Sequence, residues 1–407
     1  MRLCRIVALA LAAHLSYCGS ALAGSLAGRF HVFLQDGLAP LADSFANAVG
    51  RSIPVLAVSP AYHYEFDPET GTYTRGEATG GQLFIEHAEP LGAGHVALDA
   101  YYLHVQFDEL DGRSLRELGD PFSRVTRLGG TDVPLFRIPL AAVDTSAEEV
   151  FFSATYGVLS WLDLNVALPF VYTRLSREDR IEGPANDGAP LGATVTGSSR
   201  DTASGIGDLQ LRAKARVGSL GPLEIATELA VRVPTGDEED FQGTGDVEVT
   251  PTLIVSTPQW TAAPGVSLQA HLNLAMLVDV DETEDRSEGR WGVGIDLGST
   301  RWQLAVGLQG RHPTGPIFSA EQIDALTAPF CLASRRRCLS TDRQLPVGDH
   351  TLFGFSSSRP SYLDGSIGIR VGLWSGRVSA VVGMLAPLLD EGLTTDPIPV
   401  AGLEAAF

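Results

Sequence analysis

Between Ser204 and Val233 the chain alternates its side chains in two-residue steps, and few folds suit the separation this produces. Leu209, Leu211, Ala213, Ala215 and Val217 interleave with Asp208, Gln210, Arg212, Lys214 and Arg216. After a Gly-Pro turn (Gly218 to Pro222), Leu223, Ile225, Thr227, Leu229 and Val231 interleave with Glu224, Ala226, Glu228, Ala230 and Arg232. A period of two puts alternate residues on opposite faces of a hairpin, so one face is apolar and the other charged along its length. Seating Val217 opposite Leu223 sets Arg216 against Glu224, Arg212 against Glu228 and Asp208 against Arg232, pairings that help fix the register. Water-soluble sandwiches contain such hairpins too, so the number of repeats and the ends of the chain must separate the two architectures.

The first 23 residues have the three parts of a secretory signal peptide. Arg2 and Arg5 are basic, Ile6 to Leu15 is apolar, and Ala21-Leu22-Ala23 precedes Gly24 as a small-residue cleavage site. The apolar run is too short to span a bilayer. Tyr17 before Cys18 is too bulky for lipoprotein processing. No later segment offers about eighteen consecutive apolar residues, so an exported chain that enters a membrane does so as a closed barrel. With 44 Gly and 24 Pro in 407 residues, and 19% charged, the composition suits neither a disordered chain nor a helical one. A formal charge of −20 argues against nucleic-acid binding, which wants a basic surface.

The alternation returns along the whole chain. Tyr62 to Phe66 and Thr72 to Glu89 read as a first hairpin, then Val96 to Phe107, Glu149 to Val158, Leu162 to Leu175, Asp246 to Ser256 and Val266 to Val278. Trp291 to Leu297, Trp302 to Leu308, Leu363 to Leu373, Arg377 to Leu388 and Ile398 to Phe407 complete the set. The count is about fourteen strands, with twelve as the alternative, most near the length a tilted strand needs to cross lipid. After the first hairpin, tight turns (Pro90 to Gly94, Ser160-Trp161, Gly218 to Pro222, Ser299-Thr300, Trp374 to Gly376) take turns with long polar loops (Asp108 to Glu148, Ser176 to Ala203, Pro234 to Gly245, Asp279 to Gly289, Pro313 to Tyr362). That is the pattern of an all-β, transmembrane, antiparallel up-and-down β-barrel with short periplasmic turns and long outer loops. Trp161, Trp291, Trp302 and Trp374 stand at strand ends, where an aromatic girdle belongs. The organisation read from the sequence is a signal peptide over residues 1–23, an N-terminal periplasmic or plug segment over 24–58 and the barrel over 59–407.

Ser204-Gly205-Ile206-Gly207-Asp208, then Val233-Pro234-Thr235-Gly236-Asp237-Glu238-Glu239 and Gly243-Thr244-Gly245, resemble the "GIGD…PTGDEE…GTG" core of the meta-pathway phenol-degradation family of outer-membrane proteins. Asp108 to Gly112 and the closing Pro-Val-Ala-Gly-Leu-Glu stretch resemble that family as well. The resemblance implies an architecture related to the fatty-acid and aromatic-hydrocarbon channels. It implies a bacterial outer-membrane location and passive uptake of small, hydrophobic or aromatic molecules. Fold alone does not establish cargo. A C-terminal Phe407 on a final amphipathic strand is similar to the signal by which the barrel assembly machinery recognises its clients. Outer-membrane lipid, lipopolysaccharide and a small hydrophobic cargo are the remaining partners implied.

Each candidate site has a functional and a structural reading. Asp208, Gln210, Arg212, Lys214, Arg216, Glu224, Glu228 and Arg232, with His271 and Asn273, line a permeation path or form a salt-bridged wall. The acidic runs Asp237 to Asp240 and Asp279 to Glu288 read as solvated loop tips, without the spacing of a calcium loop, so no metal and no cofactor are expected. Leu38, Leu41, Phe45 and Val49 recur at helical spacing, as a plug helix or a periplasmic tail. Cys331 and Cys338 flank Arg335-Arg336-Arg337 in the longest loop, and in an oxidising compartment they read as one disulfide. The histidines stand in no serine or carboxylate motif, so catalysis is not expected. A non-conducting structural or surface-interaction barrel is the rival to a channel.

Overall fold

The computed structural model describes residues 25–26, 39–54, 56, 64–67, 72–75, 84–117, 125–128, 131–134, 140–182, 194–281, 286–299, 301–319, 358–373 and 378–407. The signal peptide, Trp374 and the Cys331–Cys338 pair lie outside these residues. Thirteen strands build the wall. They are β1 (Val96–Leu110), β2 (Leu140–Leu159), β3 (Leu162–Glu182), β4 (Thr194–Ile206), β5 (Leu209–Leu220), β6 (Leu223–Val233) and β7 (Glu248–Ser256). They continue as β8 (Val266–Asp279), β9 (Glu288–Gly298), β10 (Trp302–Pro313), β11 (Tyr362–Leu373), β12 (Val378–Pro387) and β13 (Ile398–Ala406). Each pairs antiparallel with its neighbours, and β13 closes on β1 from Val400↔Leu103 to Ala406↔Ala97. Phe407 extends the seam by exchanging backbone hydrogen bonds with Val96 at 2.8 and 3.0 Å.

The closed ring has twelve positions, not fourteen. The first expected hairpin accounts for the difference. Tyr64–Asp67 and Thr72–Arg75 pair only with each other, and residues 84–95 carry no wall strand. Strands β4 and β5 share one wall position against β3, with a break at Gly207-Asp208. The expected loop from Ser176 to Ala203 is also shorter, because the β3–β4 ladder runs out to Glu182↔Thr194.

Burial inverts that of a soluble protein. Leu98, Phe152, Leu168, Leu211, Leu229, Ile295, Val306, Ile369 and Val382 are exposed, while Asp99, Asn165, Arg212, Lys214, Glu228, Asp296, Arg370 and Glu404 are buried. A closed barrel with an apolar outer band and a polar interior satisfies every backbone group without water, as lipid requires. Trp161, Trp260 and Trp302 stand exposed at the end of the short turns.

The β5–β6 hairpin keeps its predicted faces and changes its register. The strands run on to Leu220↔Leu223, around a two-residue turn whose Gly221 has φ 62°. Glycine in the first turn position matches the twist of paired strands. A bulge between Arg216 and Gly218 takes up a residue, so Gln210 faces Arg232, Arg212 faces Ala230 and Lys214 faces Glu228. The displacement is two residues, which leaves every side chain on its own face. Two expected ion pairs persist diagonally, Arg216–Glu224 at 3.8 Å and Arg232–Asp208 at 2.9 Å. Arg212 does not meet Glu228 across the strands and reaches Glu86 at 3.7 Å instead.

Candidate functional site

The lumen is occupied by the chain's own N-terminal segment. Helix α1 (Ala39–Ser52) buries Phe45, Ala46 and Val49, in the same cluster as Leu103, Val105, Phe107, Phe151 and Val171 from the inner wall. Arg51 at its last turn pairs with Glu248 at 3.0 Å and with Asp279, and donates to the Arg286 carbonyl. Farther along, Glu86 and Asn273 exchange backbone-to-amide hydrogen bonds of 2.7 and 2.9 Å. The Leu91 N–H donates to Asp163 at 2.7 Å before the segment leaves at Gly94.

The residues of the family-like motif make the seat for this helix. In the loop between Val233 and Glu248, Asp237, Glu238 and Glu239 are exposed as expected of a solvated tip, while the stretch after them folds inward and buries Phe241, Gln242 and Thr244. Asp208 organises it from the break in the wall. Its carboxylate accepts the Gly236 N–H at 3.0 Å, the Thr244 N–H at 2.9 Å and the Thr244 hydroxyl at 3.2 Å, and pairs with Arg232. The Asp240 carboxylate accepts the Leu26 N–H at 2.8 Å. Phe241 meets Phe45 edge-on at 6.1 Å, and Asn47 donates to the Thr244 carbonyl at 2.8 Å. Helix and loop cross at glycines: a Cβ on Gly50 would lie 2.5 Å from the Gly243 carbonyl. Phe241 holds φ 62°, a left-handed conformation that a bulky residue adopts only where its surroundings impose it.

A cavity of about 220 Å³ remains between the N-terminal segment and the wall. Of the residues singled out in the sequence, Gln210, Arg212, Glu228, Arg232 and Asn273 line it. Asp208 and Lys214 are buried beside it, Lys214 reaching Glu86 at 3.6 Å, while Arg216 and Glu224 lie at the short-turn end of the hairpin. The sequence reading missed Arg51, Glu86, Arg290, Arg311, Tyr362 and Asp364, which share the cavity. Alternation alone puts Arg311 on the face of Gln303, Gly307 and Gln309, so part of this wall was legible.

His271 is elsewhere, in an arrangement no motif announced. One ring nitrogen lies 2.8 Å from the Ser256 hydroxyl and the other 3.0 Å from an Asp296 oxygen. Serine, histidine and aspartate in this order are the parts of a nucleophilic site. Ser256, however, is fully buried, its Oγ accepts the Ala88 N–H at 2.9 Å, and the described cavity of about 220 Å³ does not touch it. The group ties the N-terminal segment to the wall.

Asp246, Asp279 and Asp281 bring carboxylate oxygens within 4.8 Å of one another. Arg286 pairs with Asp246 and Arg51 with Asp279, so the chain's own cations meet this charge. Burial raises the Asp246 carboxyl above its ordinary value, Arg286 pulls it down, and Asp279 adds to the rise.

Residues 124–314 match the family model described as "Putative MetA-pathway of phenol degradation", which spans the wall from β2 to β10 and bears out the family resemblance read from the motifs. No curated protein matches the chain in sequence. Among solved structures, an outer membrane channel from Pseudomonas putida F1 aligns at 12% identity and TM-score 0.44, covering 79% of this chain and 98% of that one. The NanC porin aligns at 6% identity and TM-score 0.37, over 74% and 98% of the two chains. A FadL homologue of Pseudomonas aeruginosa aligns at 8% identity and TM-score 0.33, over 77% and 90%.

Proposed function

We propose that this outer-membrane barrel, whose wall from β2 to β10 carries the phenol-degradation family pattern, is a channel for passive uptake of small, apolar or aromatic molecules. One observation carries the reading: the N-terminal segment leaves a cavity of about 220 Å³ against the wall, with Leu385, Leu393, Ile398 and Phe84 on its boundary alongside charged residues. Pockets that take small molecules combine apolar surface with a few placed polar groups in this way. The family description names phenol degradation, which an aromatic cargo would suit.

Passage requires the N-terminal segment to shift. Besides the apolar packing of Phe45, Ala46 and Val49, it is held by polar ties, the ion pairs of Arg51 and the Glu86–Asn273 clamp, which water can replace when they part. The same ties favour a second reading, a closed structural barrel. Liposome swelling and planar-bilayer recording across sugars, fatty acids and phenols separate the two. A channel passes phenols above the empty-liposome rate and passes them faster when Arg51→Ala loosens the helix. No flux for any solute, in wild type or variant, would leave the closed barrel as the answer.

A further inference from the structure

The arginines around the lumen differ in how fully their donors are used. Arg370 uses all three of its nitrogens, on Glu404 at 2.6 and 2.7 Å and Gln303 at 2.6 Å. Arg212 gives its terminal nitrogens to the Leu56 carbonyl and Gln210. Arg290 and Arg311 are different. They stand opposite each other on β9 and β10, both bordering the cavity. Among the described residues Arg290 donates one hydrogen bond, from its Nε to Glu288 at 2.5 Å. Arg311 has two ion pairs, to Glu288 and Asp364, each at 4.0 Å, and no hydrogen bond among the described residues. Its guanidinium lies 4.3 Å from the centre of the Tyr362 ring. Two forks of ionic donors thus border one space, with most of their N–H groups unspent among the described residues.

The apolar side of the cavity begins at the same place. The Tyr362 hydroxyl accepts the Leu393 N–H at 3.4 Å, and Leu393 belongs with Leu385 and Ile398 to one buried cluster. Leu385 and Ile398 are cross-strand partners. From Arg311 the boundary therefore passes through an aromatic ring to aliphatic side chains.

We propose that this cavity is a binding site for a compact monocarboxylate with an apolar body, its carboxylate held between Arg290 and Arg311 and its body against Leu385, Leu393 and Ile398. A planar guanidinium matches a carboxylate with two parallel hydrogen bonds. A neutral alcohol of the same shape keeps the apolar contact and loses the ionic one. An ammonium in the same place meets two guanidiniums, with Glu288 and Asp364 beside them. The inference rests on the channel reading for its physiological meaning, but not for its test.

The full-length mature chain, folded in detergent, is titrated calorimetrically with benzoate, benzyl alcohol and benzylamine at neutral pH. Benzoate should bind at least about tenfold more tightly than benzyl alcohol, and benzylamine most weakly. Arg311→Met should weaken benzoate by about ten- to a hundredfold, the range for hydrogen bonds to a charged group, and leave benzyl alcohol within about twofold. Arg311→Lys, which keeps the charge and loses the fork, should fall between. Should Arg311→Met fail to give a heat-modifiable barrel, Arg290→Met carries the same comparison. Equal binding of the three probes, a preference for benzylamine, or full benzoate affinity in both methionine variants would overturn the site. Liposome flux of benzyl alcohol tests the channel separately. Flux without benzoate preference would sink only the site, and benzoate preference without flux would sink only the channel.

Discussion

Replacing Asp208 tests whether the family-like motif seats the N-terminal segment. Asp208 is buried, and its carboxylate serves two backbone N–H groups, of Gly236 and Thr244, besides the Thr244 hydroxyl and Arg232. In Asp208→Ala both amides lose their acceptor inside the lumen. A buried donor left unsatisfied costs about 1–3 kcal/mol, so the pair gives about 2–6 kcal/mol. The lost ion pair adds less, because Glu248 still stands 3.4 Å from Arg232. The wall strands keep their own ladders, so the loss falls on local opening of residues 234–247 and the helix above them. At tenfold per about 1.4 kcal/mol, opening should rise by roughly thirtyfold to ten-thousandfold. Hydrogen exchange read by mass spectrometry on peptides covering residues 234–245 and 39–52 measures this directly, with the unboiled gel shift as control for the barrel. Asp208→Asn, which keeps one carbonyl acceptor, should fall between. A rise under about threefold in Asp208→Ala, with the barrel intact, would refute the argument that this carboxylate holds the loop.

Further outcomes follow from the same geometry. Leu211 is 45% exposed on the outer wall, so Leu211→Arg should lower folding into lipid vesicles by about 2–4 kcal/mol. Gln309→Arg, inside the lumen opposite Asp364, should cost far less, and equal costs would mean the faces are reversed. Ser256→Ala removes the acceptor of the Ala88 N–H and a partner of His271, so it should speed exchange around residues 85–91 by about five- to a hundredfold. If a serine-directed fluorophosphonate labelled wild type and not this variant, the tie would be a nucleophilic site after all. Cys331 and Cys338, from their spacing and compartment, should both resist alkylation in unreduced, denatured protein. Two free thiols in exported material would remove the disulfide.

Much of the wall was legible because lipid and lumen impose opposite chemistry on neighbouring residues. Leu209 to Val217 and Asp208 to Arg216 needed no structure to be assigned to two faces, and the alternation of short turns with long loops gave the topology. The number of strands was legible only as a choice between about fourteen and twelve, of which the ring has twelve. Tyr62 to Phe66 alternates as well as any wall strand, yet alternation records only that two faces differ, and a ribbon outside the ring meets that condition too. Register escaped for a related reason: a slip of two residues leaves every face unchanged, so the pattern that fixed the faces is blind to it.

What only the tertiary structure decided is where the polar groups meet. Asp208, Gly236 and Thr244 are joined because the loop that carries the exposed acidic tip also turns its Phe241–Thr244 stretch into the lumen, where the buried carboxylate is the acceptor the loop's amides require. Ser256, His271 and Asp296 come together across three strands, and Arg290 and Arg311 across two, at separations that no local pattern encodes. Faces are a local property of the chain, set by each residue's own surroundings and written at a period of two. Contacts inside a closed barrel depend on strand number, register and what fills the lumen, and those are settled only when the first and last strands meet.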